Sequence, residues 1–123
     1  LSSISALKEQ LACEIVAADT GSKDGSRKIA QRYADTMIDF PWVNDFSAAR
    51  NALLKAASGE WCLMLDADEW LDEDISPLVE FLSAPHPDIS CAFIALRNYH
   101  NSDFTDWSDL AVGRLFKMSD AMP

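Results

Sequence analysis

Positive charge is scarce in this sequence. Lys and Arg number 10 against 20 Asp and Glu, which leaves a formal net charge of −10 at pH 7. Such a surface does not suit nucleic acid, whose phosphates are met by clustered Lys and Arg. It equally lacks the basic patch that docks a protein on anionic lipid. Long apolar runs are missing too. None approaches the roughly 20 residues needed to span a bilayer, so no transmembrane segment is expected. The first residues have no basic stretch leading into an apolar one, so no signal peptide is read there. Cysteine is limited to Cys13, Cys62 and Cys91, with no C-x-x-C pair. Neither a zinc site nor a thioredoxin-type motif is supported. The expectation is buried, reduced thiols in a cytosolic protein. Internal repeats and low-complexity segments are absent.

What is present suits a single folded unit. Of 123 residues, 49% are hydrophobic, too many for a disordered acidic tail. A chain of ~100–150 residues buries well over half of its unfolded surface. The first residue is not Met, and helix-like periodicity is already running there, which suggests a piece of a longer protein. One exception to the argument from charge matters. An acidic protein can hold a phosphate-bearing ligand when a divalent cation sits between them.

Periodicity divides the chain into alternating elements. Leu1, Ile4, Leu7 and Leu11 recur as on one face of a helix. Glu14 to Ala18 is an apolar strand ended by Asp19, and Thr20 to Ser26 is dense in turn formers. The next helix should bury Ile29, Ala30, Tyr33 and Ala34. Thr36 to Phe40 reads as a strand stopped by Pro41. Phe46 to Ala57 is the clearest helix, with Asp45 or Ser47 at its start and Gly59 as a cap glycine at its end. Trp61 to Leu65 is a strand apolar on both faces, as in a sheet covered on both sides. Ile75 to Leu82 is a short helix with Pro77 in its first turn. Cys91 to Leu96 and Gly113 to Lys117 are strands, and residues 98–109 read as a long polar and aromatic loop. This alternation predicts an α/β fold with a largely parallel sheet flanked by helices. Ligands in such sheets bind beyond the carboxyl ends of the strands. Asp19 and Asp66 follow two of those ends.

Asp66-Ala67-Asp68 is the strongest chemical signal. Two carboxylates at i and i+2 can approach one point where the backbone turns. Their repulsion is relieved by a divalent cation. Mg²⁺ is commonly held by one or two carboxylates plus substrate phosphates and water, and Mn²⁺ takes the same oxygen ligands. The cation would act as a Lewis acid on a diphosphate leaving group. Capping of the following segment is the plainer role for the same two residues. An EF-hand is excluded, because Leu71 stands where the loop needs Gly. Six of the 20 acids fall between Asp66 and Asp74, so part of the negative charge belongs to this segment.

Several segments together resemble the family 2 glycosyltransferases, which have the GT-A fold. Glu14 to Ser26, EIVAADTGSKDGS, is similar to their second-strand motif. Phe40-Pro41-Trp42 and Phe46-Ser47-Ala48-Ala49-Arg50-Asn51 are similar to the next strand and the helix carrying Ala-Arg-Asn. Ser58-Gly59-Glu60-Trp61 through Leu65-Asp66-Ala67-Asp68-Glu69 is similar to their strand with the Asp-x-Asp signature. Arg97-Asn98-Tyr99 and Arg114-Leu115-Phe116-Lys117 recur in the branch resembling lipopolysaccharide-core glucosyltransferases. The resemblance covers nearly the whole of residues 1–123, read as a partial GT-A domain. It lacks the family's first strand, and it stops soon after Arg114-Leu115-Phe116, where members continue into acceptor-binding segments.

The resemblance implies a nucleotide-sugar donor, a UDP-sugar first among them, and a saccharide or lipid-linked acceptor. It places Asp19 and Thr20 near the base or ribose, although many members carry a second Asp where this chain has Thr20. Arg50 would reach the donor. Asp66 would approach the ribose or sugar, and Asp68 would hold Mg²⁺ or Mn²⁺ on the diphosphate. Transfer would be a single inverting displacement with a carboxylate base on the acceptor hydroxyl. Asp109 is the candidate base, and a solvated loop Asp is its plainer reading. His100 is a minor metal candidate. Trp42, Trp61 and Trp70 are expected to pack, while Trp107 could stack on a sugar. Gly21 and Gly25 are expected at positive φ. Asp24 would organise its loop and cap the next helix. The implied setting is cytoplasmic, with attachment to the inner face of a membrane left open. Three other readings compete: a non-catalytic module derived from a glycosyltransferase, a Mg²⁺-dependent haloacid-dehalogenase-like phosphatase, and a nucleotide-binding α/β domain.

Overall fold

The computed structural model describes residues 2–118. Leu1, part of the stripe read on the first helix, lies outside them. The elements run α1 (Ser2–Gln10), β1 (Val16–Asp19), α2 (Ser26–Tyr33), β2 (Thr36–Asp39), α3 (Phe46–Ala56), β3 (Trp61–Leu63), α4 (Ser76–Ser83), β4 (Cys91–Tyr99) and β5 (Trp107–Lys117). The chain is α/β, as its alternation predicts.

The sheet is not largely parallel. β1 and β2 pair in parallel, joined by the crossover helix α2 that parallel strands require. β3, β5 and β4 form a separate antiparallel sheet in that order. The reason is the connection after β4, where residues 100–106 form a turn with no helix. Strands joined that way return antiparallel. The segment 98–109 is therefore no long loop. β4 continues to Tyr99, β5 begins at Trp107, and the two pair out to Tyr99↔Trp107. Alternating hydrophobicity is weak there because both faces are wet, which hides a strand from pattern reading.

Local chemistry explains the element ends. Asp45 caps α3, accepting the Ser47 and Ala48 amides at 2.9 and 3.2 Å. Pro77 stands in the first turn of α4. Gly59 is no cap glycine, because Ala57 leaves α3 in extended conformation. Gly21 has φ 108, whereas Gly25 has φ −76, so only the first needs glycine's freedom.

The buried hydrophobic core is Leu7, Ile15, Met64, Ile75 and Leu115, one from each of five segments. Among the described residues β3 has a partner on one edge only, and its residues are half-buried rather than enclosed on both faces. On α2, Ala30, Tyr33 and Ala34 are half-buried but Ile29 is exposed, because a two-stranded sheet offers one helix little to lie against. Trp61 packs edge-on against Phe81 as expected. Trp42 and Trp70 are exposed instead, each touching another ring. Cys62 and Cys91 are half-buried thiols, and burial pushes the Cys62 thiol up. Cys13 is exposed, contrary to expectation. Among the described residues no helix is long and apolar enough to cross a membrane.

Candidate functional site

The chain leaves β3 along Arg114, whose carbonyl accepts the Met64 amide at 2.8 Å, and then turns at Asp66. The turn closes on itself. The Asp66 amide donates to Glu69 Oε2 at 2.9 Å, and the Glu69 amide donates to the Asp66 carbonyl at 3.1 Å. Two arginines converge on the Asp66 carboxylate. Arg50 Nη2 of α3 lies 3.3 Å from Oδ1, and Arg114 Nη2 of β5 lies 3.2 Å from Oδ2. Arg114 also donates to Glu69 Oε1 at 2.7 Å. The resemblance implies a donor contact for Arg50, not this pairing with Asp66. Arg114 and Glu69 were not expected here from sequence, although Glu69 follows the Asp-x-Asp pair directly and Arg114 opens a quoted motif. Register explains the gap: only the β3–β5 pairing brings residue 114 beside residue 66.

Asp68 stands exposed on the same turn, and its carboxylate has no hydrogen bond or ion pair among the described residues. No three His, Cys, Asp or Glu side chains converge on a metal-sized point among the described residues. Of the Asp-x-Asp pair, Asp66 is engaged by Arg50 and Arg114, while Asp68 stands exposed. A cavity of about 220 Å³ lies beside the turn, lined by Arg50, Asn51, Met64 and Arg114 among others. A larger, shallower hollow of about 480 Å³ lies at α4 near Gln10. It is lined by Ser76, Ser83 and Glu80 but by no Arg or Lys, whereas the smaller one has Arg50 and Arg114 in its wall.

Asp19 ends β1 with both oxygens engaged. Ser22 donates its amide to Oδ1 at 2.9 Å, and Arg27 Nη1 lies 3.0 Å from Oδ2. Arg27 also pairs with Asp39, the register partner of Asp19 at the end of β2. Ser22 first and Arg27 second hold the Asp19 carboxyl far below the usual carboxylate range. Its side chain is 9% exposed, so Asp19 organises its loop. Thr20 is exposed beside it. Asp24 accepts the Ser26 amide at 2.9 Å and so organises its loop as expected, but it does not cap α2: the cap position is Gly25, with no side-chain cap hydrogen bond. The Arg27 bridge was invisible in sequence, because it needs strand ends aligned in parallel.

Asp109 lies elsewhere on the sheet. It faces Arg97 across β4 and β5 and accepts two hydrogen bonds from it, at 2.8 and 2.9 Å. Arg97 holds its carboxyl below the ordinary range. Arg114 lies five positions further along β5, roughly 17 Å at ~3.4 Å per residue. The structure therefore brings Arg50 and Asp66 together and leaves Asp109 apart. His100 Nε2 is 3.0 Å from Ser108 Oγ on the same hairpin.

This is an α/β domain whose paired charges collect past the ends of β1 and β3, the place where such folds bind ligands. The sequence profile of Glycosyl transferase family 2 matches residues 1–117, and the chain belongs to that family. It is similar to a TPR repeat-containing protein of Synechococcus elongatus, 36% identical over 115 residues, which are 93% of this chain and 27% of that protein. It is also similar to the lipopolysaccharide core biosynthesis glycosyltransferase LpsC of Rhizobium meliloti, 35% identical over 91 residues, 70% of this chain and 33% of that protein. The putative glycosyltransferase EpsH of Bacillus subtilis is 34% identical over 65 residues, 50% of this chain and 19% of that protein. The chain thus spans a third or less of the length of these relatives. No solved structure matches.

Proposed function

We propose that this chain is the donor-binding part of a GT-A glycosyltransferase that moves a sugar from a nucleoside-diphosphate donor to an acceptor hydroxyl. The observation that carries the reading is the Asp66–Asp68 turn, where one carboxylate is fixed by Arg50 and Arg114 and the next has no partner among the described residues. Asp68, with Asp66, would hold Mg²⁺ or Mn²⁺. When bound, the cation supplies charge neutralisation at the diphosphate as that group departs. Arg50 offers a guanidinium at the same place, suited to phosphate oxygens. Thr20, beside the anchored Asp19, offers a hydroxyl toward base or ribose. The reaction is a single displacement that inverts the anomeric centre; Asp109, paired with Arg97 and set apart from Asp66, serves as its base only for an acceptor hydroxyl carried across the hairpin to it. The acceptor proposed is a saccharide or lipid-linked one in cell-envelope polysaccharide or lipopolysaccharide synthesis; the name of LpsC supports the lipopolysaccharide setting, and that of EpsH supports glycosyl transfer. A cytoplasmic setting, where nucleotide sugars are made, fits this reading.

Calorimetric titration with UDP and Mn²⁺ tests it. Nucleotide binding should require the metal, and Asp68→Ala should weaken it at least tenfold. Absence of UDP binding by the protein at its relatives' full length would refute the reading.

A further inference from the structure

Beyond the carboxylate turn, the β4–β5 hairpin carries a second feature. Tyr99 and Trp107 are register partners, and Arg97 and Asp109 are the next pair but one, so all four side chains share one face. Arg97 lies over the Trp107 ring, 4.9 Å from its centroid. Trp70 stacks on Tyr99, with planes 7° apart and centroids at 6.2 Å, and Phe104 sits edge-on to Tyr99 at 4.9 Å. These rings are prearranged, yet they are wet: Trp70 is 60% exposed, Phe104 55% and Trp107 47%. Contiguous exposed aromatic surface marks an interaction site.

We infer that this face, Trp70, Tyr99, Phe104 and Trp107 with the Arg97–Asp109 pair, is a saccharide-binding platform that receives the acceptor. Its chemistry selects the occupant. Arg97 and Asp109 neutralise each other through two hydrogen bonds, and the charges flanking the rings, Asp68, Asp103 and Asp106, are acidic, so no anionic partner is called for. A pyranose is neutral and two-sided. Its C–H face carries slight positive charge and suits the negative face of an aromatic ring. Its hydroxyl rim suits planar polar groups such as a guanidinium and a carboxylate with lone pairs to spare. Rigid rings lose little entropy on binding, which favours a weak but oriented contact. Position supports the same conclusion. Trp70 follows Asp68 by two residues, at most ~7 Å of chain. The ring stack therefore begins where the carboxylate turn ends. That the bound saccharide is the acceptor rests on the glycosyltransferase reading; that the face binds saccharide does not.

The test follows the four tryptophan indole N–H signals of the 123-residue chain by ¹⁵N NMR, without nucleotide or metal. The probes are cellobiose, maltose and lactose, each raised to about 50 mM. Expected are shifts of the Trp70 and Trp107 indoles, with the Trp42 and Trp61 indoles still. Trp107→Ala and Trp70→Ala should each weaken the titrated saccharide at least fivefold, whereas Trp42→Ala should not. Both rings are exposed, so these variants should fold, and amide dispersion checks that they do. Absence of shifts with every sugar overturns the inference. So does concentration-dependent dimerisation lost in Trp107→Ala, which would assign the face to a second copy. Blue-shifted emission of Trp70 and Trp107 on adding anionic vesicles would assign it to lipid and overturn it likewise. Sugar binding without UDP–Mn²⁺ binding would refute the donor reading and leave this platform standing, and the reverse would remove the platform alone.

Discussion

Arg114 and Glu69 form an ion pair of 2.7 Å between side chains that are only 16% and 12% exposed. The pair joins β5 to the turn that displays Asp66 and Asp68. The same Arg114 nitrogen reaches Asp66, while the other Glu69 oxygen holds the Asp66 amide. The carboxylate turn is thus fastened to the sheet through one guanidinium.

Breaking that fastening should cost stability and alignment together. Removing one partner of a mostly buried pair leaves the other without compensation, a loss of about 3 kcal/mol. Arg114→Ala should therefore lower the urea midpoint clearly, and Glu69→Gln should do so less, because the amide oxygen still accepts. Arg114→Lys keeps the charge but presents it as a flexible point ammonium in place of the planar guanidinium whose Nη2 meets both carboxylates. It should fold better than the alanine variant yet fail to restore metal-dependent UDP affinity. A urea curve for Arg114→Ala that overlays the parent would disprove the fastening role.

The α3 cap gives a second prediction, since α3 carries Arg50 to Asp66. Asp45 satisfies two amides at the helix start. Asp45→Ala should cost about 1 kcal/mol, and Asp45→Asn much less, because Asn caps as well as Asp. Hydrogen exchange should show protection lost in the first turn of α3 for the alanine variant alone.

How far the sequence is legible depends on whether the deciding interaction is local. The Asp45 cap, Pro77 in α4, the strand ending at Asp19 and the exposed turn at Asp68 all depend on neighbours within a few residues. Each is readable from spacing. Pairing partners are not local. Nothing near residue 107 announces that Trp107 returns to Tyr99, so the hairpin looks like a loop and the sheet looks parallel. The same blindness hides Arg27 bridging Asp19 and Asp39, and Arg114 bridging Asp66 and Glu69. Both contacts exist only once two strands are in register.

Acid should destabilise the fold over a definable range. Asp35 is held below the usual carboxylate range, by Lys8 first and then the Ile15 amide. Asp19, Asp74 and Asp109 are shifted the same way by Ser22, Ser76 and Arg97. For a group whose folded pKa is depressed, the unfolded chain binds more protons on acidification. Its contribution is complete above the unfolded value, ~3.9 for Asp, and is lost as pH falls through the folded value. The melting temperature should hold steady from pH 7 to about 5 and drop steeply below about 4. Asp35→Asn should melt lower than the parent at pH 7, with the gap closing at pH 3. A gap that persists unchanged at pH 3 would show that Asp35 contributes through something other than its charge.

The two glycines of the Asp19 loop should answer differently to the same substitution. At Gly21 an added Cβ would meet nothing within 4 Å, so space is no obstacle. Its φ of 108 is the obstacle, because an L side chain there crowds its own backbone. Gly21→Ala should lose about 1 kcal/mol and loosen the turn in which Ser22 holds Asp19. Gly25 has equal space but φ −76, which alanine adopts without strain. Gly25→Ala should stay within about 0.5 kcal/mol of the parent. The loop also presents Thr20, so the strained variant should weaken UDP binding while the unstrained one leaves it unchanged. Equal losses from both substitutions would mean that the loop reads the missing Cβ rather than the backbone angle, and the assignment of Gly21 to a conformational role would fail.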